Sequence, residues 1–314
     1  MIVVLILGEE AWMKAQLGSV GFPSKLWYLF LNCRPGNVAS WASLVVIGWA
    51  TTVRSIMLVE FLLRFMVLGF FAFLLNGFSF SINNVFDVKE DVNSGKTSNM
   101  VAMGKVSRKE AAAFSIIIGA ISVAFFSATG GLPGLLLSAS CLILGLLYST
   151  PPVRFKEKPA LDILSHGFFL GSLLVVLGAH AYGGVTNATT YTYAIAFFFI
   201  SCLFQLQNML GDYFVDRDSG VKTTAVRLGT LERGRWLAST FATLGVAATI
   251  YTSWYFIVEP ILVGLLILVQ LVNLVILSPK VSVYMVYVYQ KKIQPYFMVG
   301  WGVTLLLLTI ISLS

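Results

Sequence analysis

Asn83, Asp87 and Asp91 stand four residues apart at the end of a long apolar run. On a helix that spacing stacks three oxygen-bearing side chains on one face, one turn apart. Two carboxylates so placed repel each other, and at a membrane boundary they are costly unless something positive compensates them. A hard divalent cation is the best candidate, because Mg2+ takes oxygen ligands and is usually held by one or two carboxylates plus substrate phosphates. The pattern recurs 125 positions on (208 minus 83), as Asn208, Asp212 and Asp216, again where an apolar run stops. One such turn would be an ordinary solvated helix end. Two read as a pair of metal sites, Asp87 with Asp91 for one Mg2+ and Asp212 with Asp216 for a second. Asn83 and Asn208 offer neutral oxygens on the same faces, and Asp218, off the stripe, is a weaker ligand candidate.

The elements that must position these residues are apolar helices. The chain has 314 residues, 58% hydrophobic and 11% charged, with a mean hydropathy of +0.86. A soluble domain of this length is nearer a quarter charged, so the polar surface is too small to wet a globule. The composition predicts an all-α, polytopic membrane protein. Segments of spanning length fall at 37–56, 61–86, 108–128, 132–149, 160–182, 190–211, 234–254, 258–279 and 292–313, which makes nine. Gly119, Gly167, Gly171 and Gly178 lie inside them and let helices approach closely. All but Arg54 and Arg64 of the 21 Lys and Arg fall before the first span or after the even-numbered ones. That bias places the N-terminus in the cytoplasm, the C-terminus outside and both acidic turns on the cytoplasmic side. It also accounts for the net charge of +7, so nucleic acid is not an expected partner. Residues 1–35 read as a cytoplasmic or interfacial lead, with an amphipathic patch at 27–31, and 36–314 as a single transmembrane domain. Cys33, Cys141 and Cys202 have no metal-ligand spacing and imply no disulfide framework.

Lys96, Lys105, Arg154, Lys156 and Lys222 share the acidic loops and are candidates for phosphate oxygens that metals leave free. Topology alone would also put them there. A metal-bound anion entering from an apolar bundle is best matched by a diphosphate carrying a lipid tail. Ionising such an allylic diphosphate needs its leaving charge neutralised, and aromatic faces can shelter the cation that results. Tyr148, at the cytoplasmic end of the fourth span, suits that role, although a belt tyrosine at the interface would sit there too. Asp162 and His166, four apart in the fifth span, read as a hydrogen-bonded pair with an acid–base role as the alternative. Glu60 and Arg64 read as an ion pair on the outer side. A transporter or flippase of an anionic lipid is the competing function, but transporter sites lie near the midplane on broken helices rather than at helix ends. A structural or assembly role leaves four stacked aspartates without a purpose.

The sequence resembles the UbiA superfamily of intramembrane prenyltransferases. The resemblance rests on Asn83-Asn84-x-x-Asp87-x-x-x-Asp91, on Asp212-x-x-x-Asp216 followed by 217–224, and on three further stretches. These are Arg34-Pro35, 104–107 from Gly104 to Ser107, and Tyr148-Ser149-x-Pro151-Pro152 running to Lys156. It implies a nine-helix bundle around a central cavity open to the cytoplasmic side, with a lateral portal to lipid. It also implies two Mg2+ ions on the aspartate motifs and transfer of a prenyl chain from a polyprenyl diphosphate, such as geranylgeranyl diphosphate, to a hydrophobic or amphipathic acceptor, aromatic or lipid. One departure stands out. Asn84 replaces the first aspartate of the motif, and because it lies off the 83/87/91 stripe its lost charge matters less than Asp87 would.

Overall fold

The computed structural model describes residues 22–53, 56–93, 95–256 and 268, and among these it is all helix and loop. Helix α1 (Phe22–Asn32) leads into α2 (Pro35–Ala50), α3 (Leu58–Phe86) and the short α4 (Val88–Asn93). Next come α5 (Arg108–Ser149), α6 (Leu161–Gly183) and α7 (Ala188–Gly211). The short α8 (Tyr213–Asp218) and α9 (Thr224–Arg227) precede α10 (Leu231–Phe256). Four helices, α3, α5, α6 and α7, are long and apolar enough to cross a bilayer. Their outward residues are greasy: Leu58, Leu63, Met66 and Phe70 on α3 and Ile116, Ile117 and Ile143 on α5 are all exposed. In water such faces would be an aggregation hazard, whereas lipid accepts them.

Seven of the nine expected spans fall on these helices, and the last two, 258–279 and 292–313, lie outside the described residues except for Leu268. One detail differs from expectation. The first span ends at Ala50, so α2 has 16 residues, about 24 Å at 1.5 Å per residue. The third and fourth spans fall on the two halves of α5, which part where expected, at Gly131 with the non-helical φ 60 and ψ −147, just before Pro133. Beyond the bend the chain doubles back. Gly119 lies against Leu142, and Gly134 packs so closely on Phe126 that an added Cβ would sit 2.0 Å from the Phe126 carbonyl oxygen.

Helix starts follow local rules. Ser107 and Glu110 form a reciprocal capping box at the head of α5, and Glu110 also holds Lys25 of α1 at 2.7 Å. Asn187 and Thr190 form the same box at the head of α7. At that end of the bundle the Asn187 amide donates to Thr51 O at 2.7 Å, and Arg64 pairs with Glu60 at 2.5 Å, the expected ion pair. The Trp27–Leu31 patch lies on α1, with Trp27 exposed and stacked on Phe30, and Leu29 turned inward.

The expected glycine contacts are all present. Gly119 meets Phe78, Gly167 meets Cys202 and Phe198, and Gly171 meets Phe197. The tightest joins α2 to α6, where a Cβ on Gly178 would lie 1.8 Å from Val45 O and one on Gly48 would lie 1.8 Å from Val175 O. Cys33, Cys141 and Cys202 are buried free thiols. A leucine at Gly178 must push α2 away from α6 through backbone rather than side chain. Gly178→Leu is therefore expected to cost about 3 kcal/mol or more, while Gly36→Ala, with nothing within 4 Å, stays within about 0.5 kcal/mol. Thermal unfolding of both variants in detergent checks this.

Candidate active site

The two acidic turns have the same backbone, not merely the same side chains. Asp87 caps α3 with φ −95 and ψ 12, and Asp212 caps α7 with φ −96 and ψ 4. Each is followed at once by a six-residue helix, α4 or α8. The i→i+4 bonds carry on across both breaks: Asp87 N to Asn83 O at 3.0 Å and Asp91 N to Asp87 O at 2.8 Å, matched by Asp212 N to Asn208 O at 3.1 Å and Asp216 N to Asp212 O at 2.9 Å. Both short helices end on a left-handed glycine, Gly95 (φ 64) and Gly220 (φ 75), which stands at the same offset in each copy. The predicted single helical face is thus a helix end continued by a second short helix, and the bonds across the break keep the stripe together.

The surroundings of the two copies differ. Asp87 and Asp91 are buried, at 6% and 4% exposure, whereas Asp212 and Asn208 are exposed and Asp216 is half-buried. The positive partners expected for the first pair come from the chain itself. Lys156 Nζ contacts Asp87 Oδ1, Arg154 Nη2 lies 3.5 Å from the same oxygen, and Asn83 Nδ2 donates to Asp87 Oδ2 at 2.8 Å. Asp91 faces Lys96 Nζ at 3.2 Å and Arg34 Nη2 at 3.8 Å. Among the described residues no three His, Cys, Asp or Glu side chains cluster as a ready metal cage. Mg2+ needs none, since one or two carboxylates and a phosphate suffice.

Lys156 and Lys96 also act on the second turn. Burial and the neighbouring Asp212 charge push the Asp216 carboxyl up to about 6, and the charges of Lys156 and Lys96 pull against that rise. The two acidic turns therefore share cations at one end of the bundle. Of the other sequence candidates, Lys222 is exposed in the loop after α8, and Lys105 sits over the Tyr28 ring at 5.8 Å, against α1.

Sequence reasoning missed the scaffold behind the first turn. Asn99, fully buried, donates from Nδ2 to Asp91 Oδ2 at 2.8 Å and to Asn84 O at 2.9 Å, while its Oδ1 accepts from Val101 N and Ala102 N. The offset between the two copies pairs Asn99 with Thr224, and that was the available signal. Thr224 holds Asp162 through its N–H at 2.6 Å and its hydroxyl at 2.5 Å. Arg34 was read only as part of a dipeptide. Its guanidinium is buried and reaches Asn84 as well as Asp91. Burial pulls Arg34 below the ordinary guanidinium value, against the charges of Asp91 and Asp87. Arg34 (φ 55) and Arg154 (φ 41) both adopt the left-handed backbone, strain of about 1 kcal/mol or more that is common where function fixes a side chain.

Asn84 is more than an off-stripe substitution. It is fully buried and donates to Asn32 O at 2.8 Å and Asn32 Oδ1 at 3.1 Å. A carboxylate could not make those donations, so the amide fits this chain where an aspartate would be left facing two acceptors.

Asp162 and His166 do not pair with each other, contrary to expectation. Asp162 is spent on Thr224 and on Ile163 N at 2.8 Å, tying α6 to the loop behind the second acidic turn. His166 turns the other way, with Nδ1 2.9 Å from Ser201 Oγ. The i→i+4 spacing places two side chains on one face, but here each finds a better partner on another segment. Tyr148 lies near both turns: its neighbour Ser149 donates to Asn83 Oδ1 at 3.3 Å, and its own hydroxyl accepts from Gln205 Nε2 at 2.7 Å. Its ring lies 5.6 Å from Phe169 and 6.3 Å from His166.

Comparison with known proteins places the chain in a family. The sequence model of the UbiA prenyltransferase family matches residues 39–298. The lycopene elongase/hydratase of Halobacterium salinarum is 30% identical over 209 residues, 64% of this chain and 71% of the relative. The lycopene elongase/hydratase of Haloferax volcanii is 28% identical over 232 residues, 72% of this chain and 73% of the relative. Among solved structures, a UbiA homolog from Archaeoglobus fulgidus bound to GPP and Mg2+ matches with a TM-score of 0.69 at 21% identity, covering 91% of this chain and 98% of that one. At that identity the structural likeness is one of fold. With apolar spanning helices and a family match over most of its length, the chain is a membrane protein that belongs to the UbiA prenyltransferase family.

Proposed function

We propose that the protein transfers a prenyl group from a polyprenyl diphosphate to a polyene hydrocarbon of the lycopene class, releasing diphosphate. The observation that carries this reading is the pair of acidic turns with matched backbones at the ends of two apolar helices, the first held by Lys156 and Lys96, whose charges also act on Asp216 of the second. Asp87 and Asp91, with Asn83, would hold one Mg2+, and Asp212 and Asp216, with Asn208, would hold a second. The donor set fits, because it is all oxygen, and Lys156 on Asp87 marks a position that already accommodates a cation. When bound, Mg2+ neutralises charge on the leaving diphosphate. Lys156, Arg154 and Lys96 would pair with phosphate oxygens once released from the carboxylates, with Lys222 and Lys105 further out. The donor C–O bond breaks with its electron pair on diphosphate, and Tyr148 stands beside the allylic cation. A terminal double bond of the acceptor attacks that cation and forms the new C–C bond. The acceptor class follows the relatives' named substrate, and the bias of Lys and Arg puts the acidic end in the cytoplasm, with the N-terminus inside and the C-terminus outside.

Membranes given labelled prenyl diphosphate with lycopene or with an aromatic acid test the acceptor. A labelled, longer polyene is the expected product, and label in the aromatic acid alone would overturn the assignment. Asp87→Asn and Asp212→Asn are each expected to lower diphosphate release about a hundred- to thousand-fold in folded protein, as measured by phosphate-coupled assay.

Lys156→Ala removes the built-in rival for Asp87. It is expected to raise Mg2+ affinity in donor-free protein about ten-fold and to raise the KM for the donor, read by calorimetry and steady-state kinetics. Because the Asp216 carboxyl is raised to about 6, it must lose a proton to bind metal below that pH. Mg2+ affinity is expected to hold steady above pH 7 and to fall by up to about ten-fold per pH unit below 6. Asp216→Asn should flatten that dependence in a pH series of metal titrations.

A further inference from the structure

We propose that His166 Nε2 accepts the proton released when the prenylated cation is quenched, an assignment that rests on the prenyl-transfer reading above. The tautomer follows from the hydrogen bonds. Ser201 has one hydroxyl hydrogen, and it is donated to His166 O at 3.0 Å. The 2.9 Å contact between His166 Nδ1 and Ser201 Oγ must therefore be filled by the Nδ1 hydrogen. The lone pair is then on Nε2, the form of imidazole that acts as a base.

The helix widens next to this contact. Phe168–Ser172 forms a π turn within α6, just beyond His166, and such turns loosen the ordinary i→i+4 ladder and recur at functional sites. Nε2 itself has no hydrogen-bond partner among the described residues. Most buried side-chain nitrogens have a partner, so an open Nε2 is a feature that chemistry can use.

The ring around it suits a cation. The ring planes of Trp41, Phe169 and Tyr148 cross that of His166 steeply, with centroids at 5.4, 5.8 and 6.3 Å, and Phe204 lies 6.1 Å from Trp41. Aromatic faces attract positive charge most strongly where water is excluded, and His166 is 6% exposed. The group is also in the right place. Asp162, one turn nearer the acidic end, ties down the second loop, and Tyr148 adjoins the residue bonded to Asn83.

Attack of the acceptor double bond on the allylic cation leaves a tertiary cation on the lengthened polyene. It is quenched in one of two ways. A neighbouring C–H gives its proton to Nε2 and its electron pair becomes a new double bond, or a water adds through oxygen and gives its proton to Nε2. Either way the imidazolium later loses that proton to solvent, and the sum is donor plus acceptor, or donor plus acceptor plus water, giving product and protonated diphosphate.

The test uses the full-length protein in lipid bilayers with lycopene, a labelled prenyl diphosphate and 18O-water. Wild type is expected to give one dominant lengthened product, an 18O-labelled alcohol if water is the proton source or an unlabelled alkene if C–H is. In His166→Phe and His166→Gln, that product per diphosphate released should fall about ten-fold or more, replaced by a mixture of alkene isomers and alcohol. Ser201→Ala, which removes the hydroxyl bonded to both the His166 ring and its carbonyl, should shift the ratio the same way by less. Unchanged product ratios in all three, or loss of diphosphate release together with product in folded variants, would overturn the assignment. If wild type lengthens no polyene with any donor, the function proposed above fails first, and this assignment with it.

Discussion

Charge compensation at one end of an apolar bundle is the constraint on which the rest of the structure depends. Asp87 and Asp91 are nearly sealed from water, and a buried carboxylate without a partner costs several kcal/mol. Four cations from three places in the sequence meet that demand: Arg34 before α2, Lys96 after α4, and Arg154 and Lys156 after α5. Each draws its segment to the same point. The loop behind α5, the turn into α2 and the loop after α4 are thereby fixed around the first acidic turn. The second turn is left more open, with Asp212 exposed. One copy is thus closed and preorganised and the other faces outward, although their backbones match.

The apolar interior works by different physics. Lipid tails offer no hydrophobic drive between helices, so close backbone approach and buried hydrogen bonds decide the packing. Gly48 and Gly178 bring α2 onto α6, and Gly167 and Gly171 bring α6 onto α7. Helix α6 is consequently held on both sides, and it accommodates this with a π turn. The same close contacts place Ser201 of α7 under the His166 carbonyl. Packing and the chemistry of the histidine are therefore two consequences of one helix–helix contact.

Much of this was legible in the residues. Composition and the length of the apolar runs specify membrane helices because a bilayer tolerates little else. The repeated Asn-x-x-x-Asp-x-x-x-Asp spacing specifies where oxygen ligands gather, since helical periodicity is local. The glycines inside spans correctly marked the close contacts. Less legible were the partners. The Asp162 and His166 spacing suggested a pair, yet a spacing rule says only which side chains share a face, not what another helix brings to them. Asn84 looked like a lost charge and is a buried donor, because its acceptors on Asn32 lie far away in sequence.

What the sequence by itself determined is the type of each element and the chemistry of its ends: apolar spans, oxygen-rich turns and basic loops. Only the tertiary structure decided that the first acidic turn is sealed by cations from three loops while the second stays open, and that Asp162 meets Thr224 while His166 meets Ser201. The reason is physical. Periodicity and composition act through neighbours a few residues away, whereas charge pairing, burial and hydrogen-bond direction depend on groups that only folding brings together.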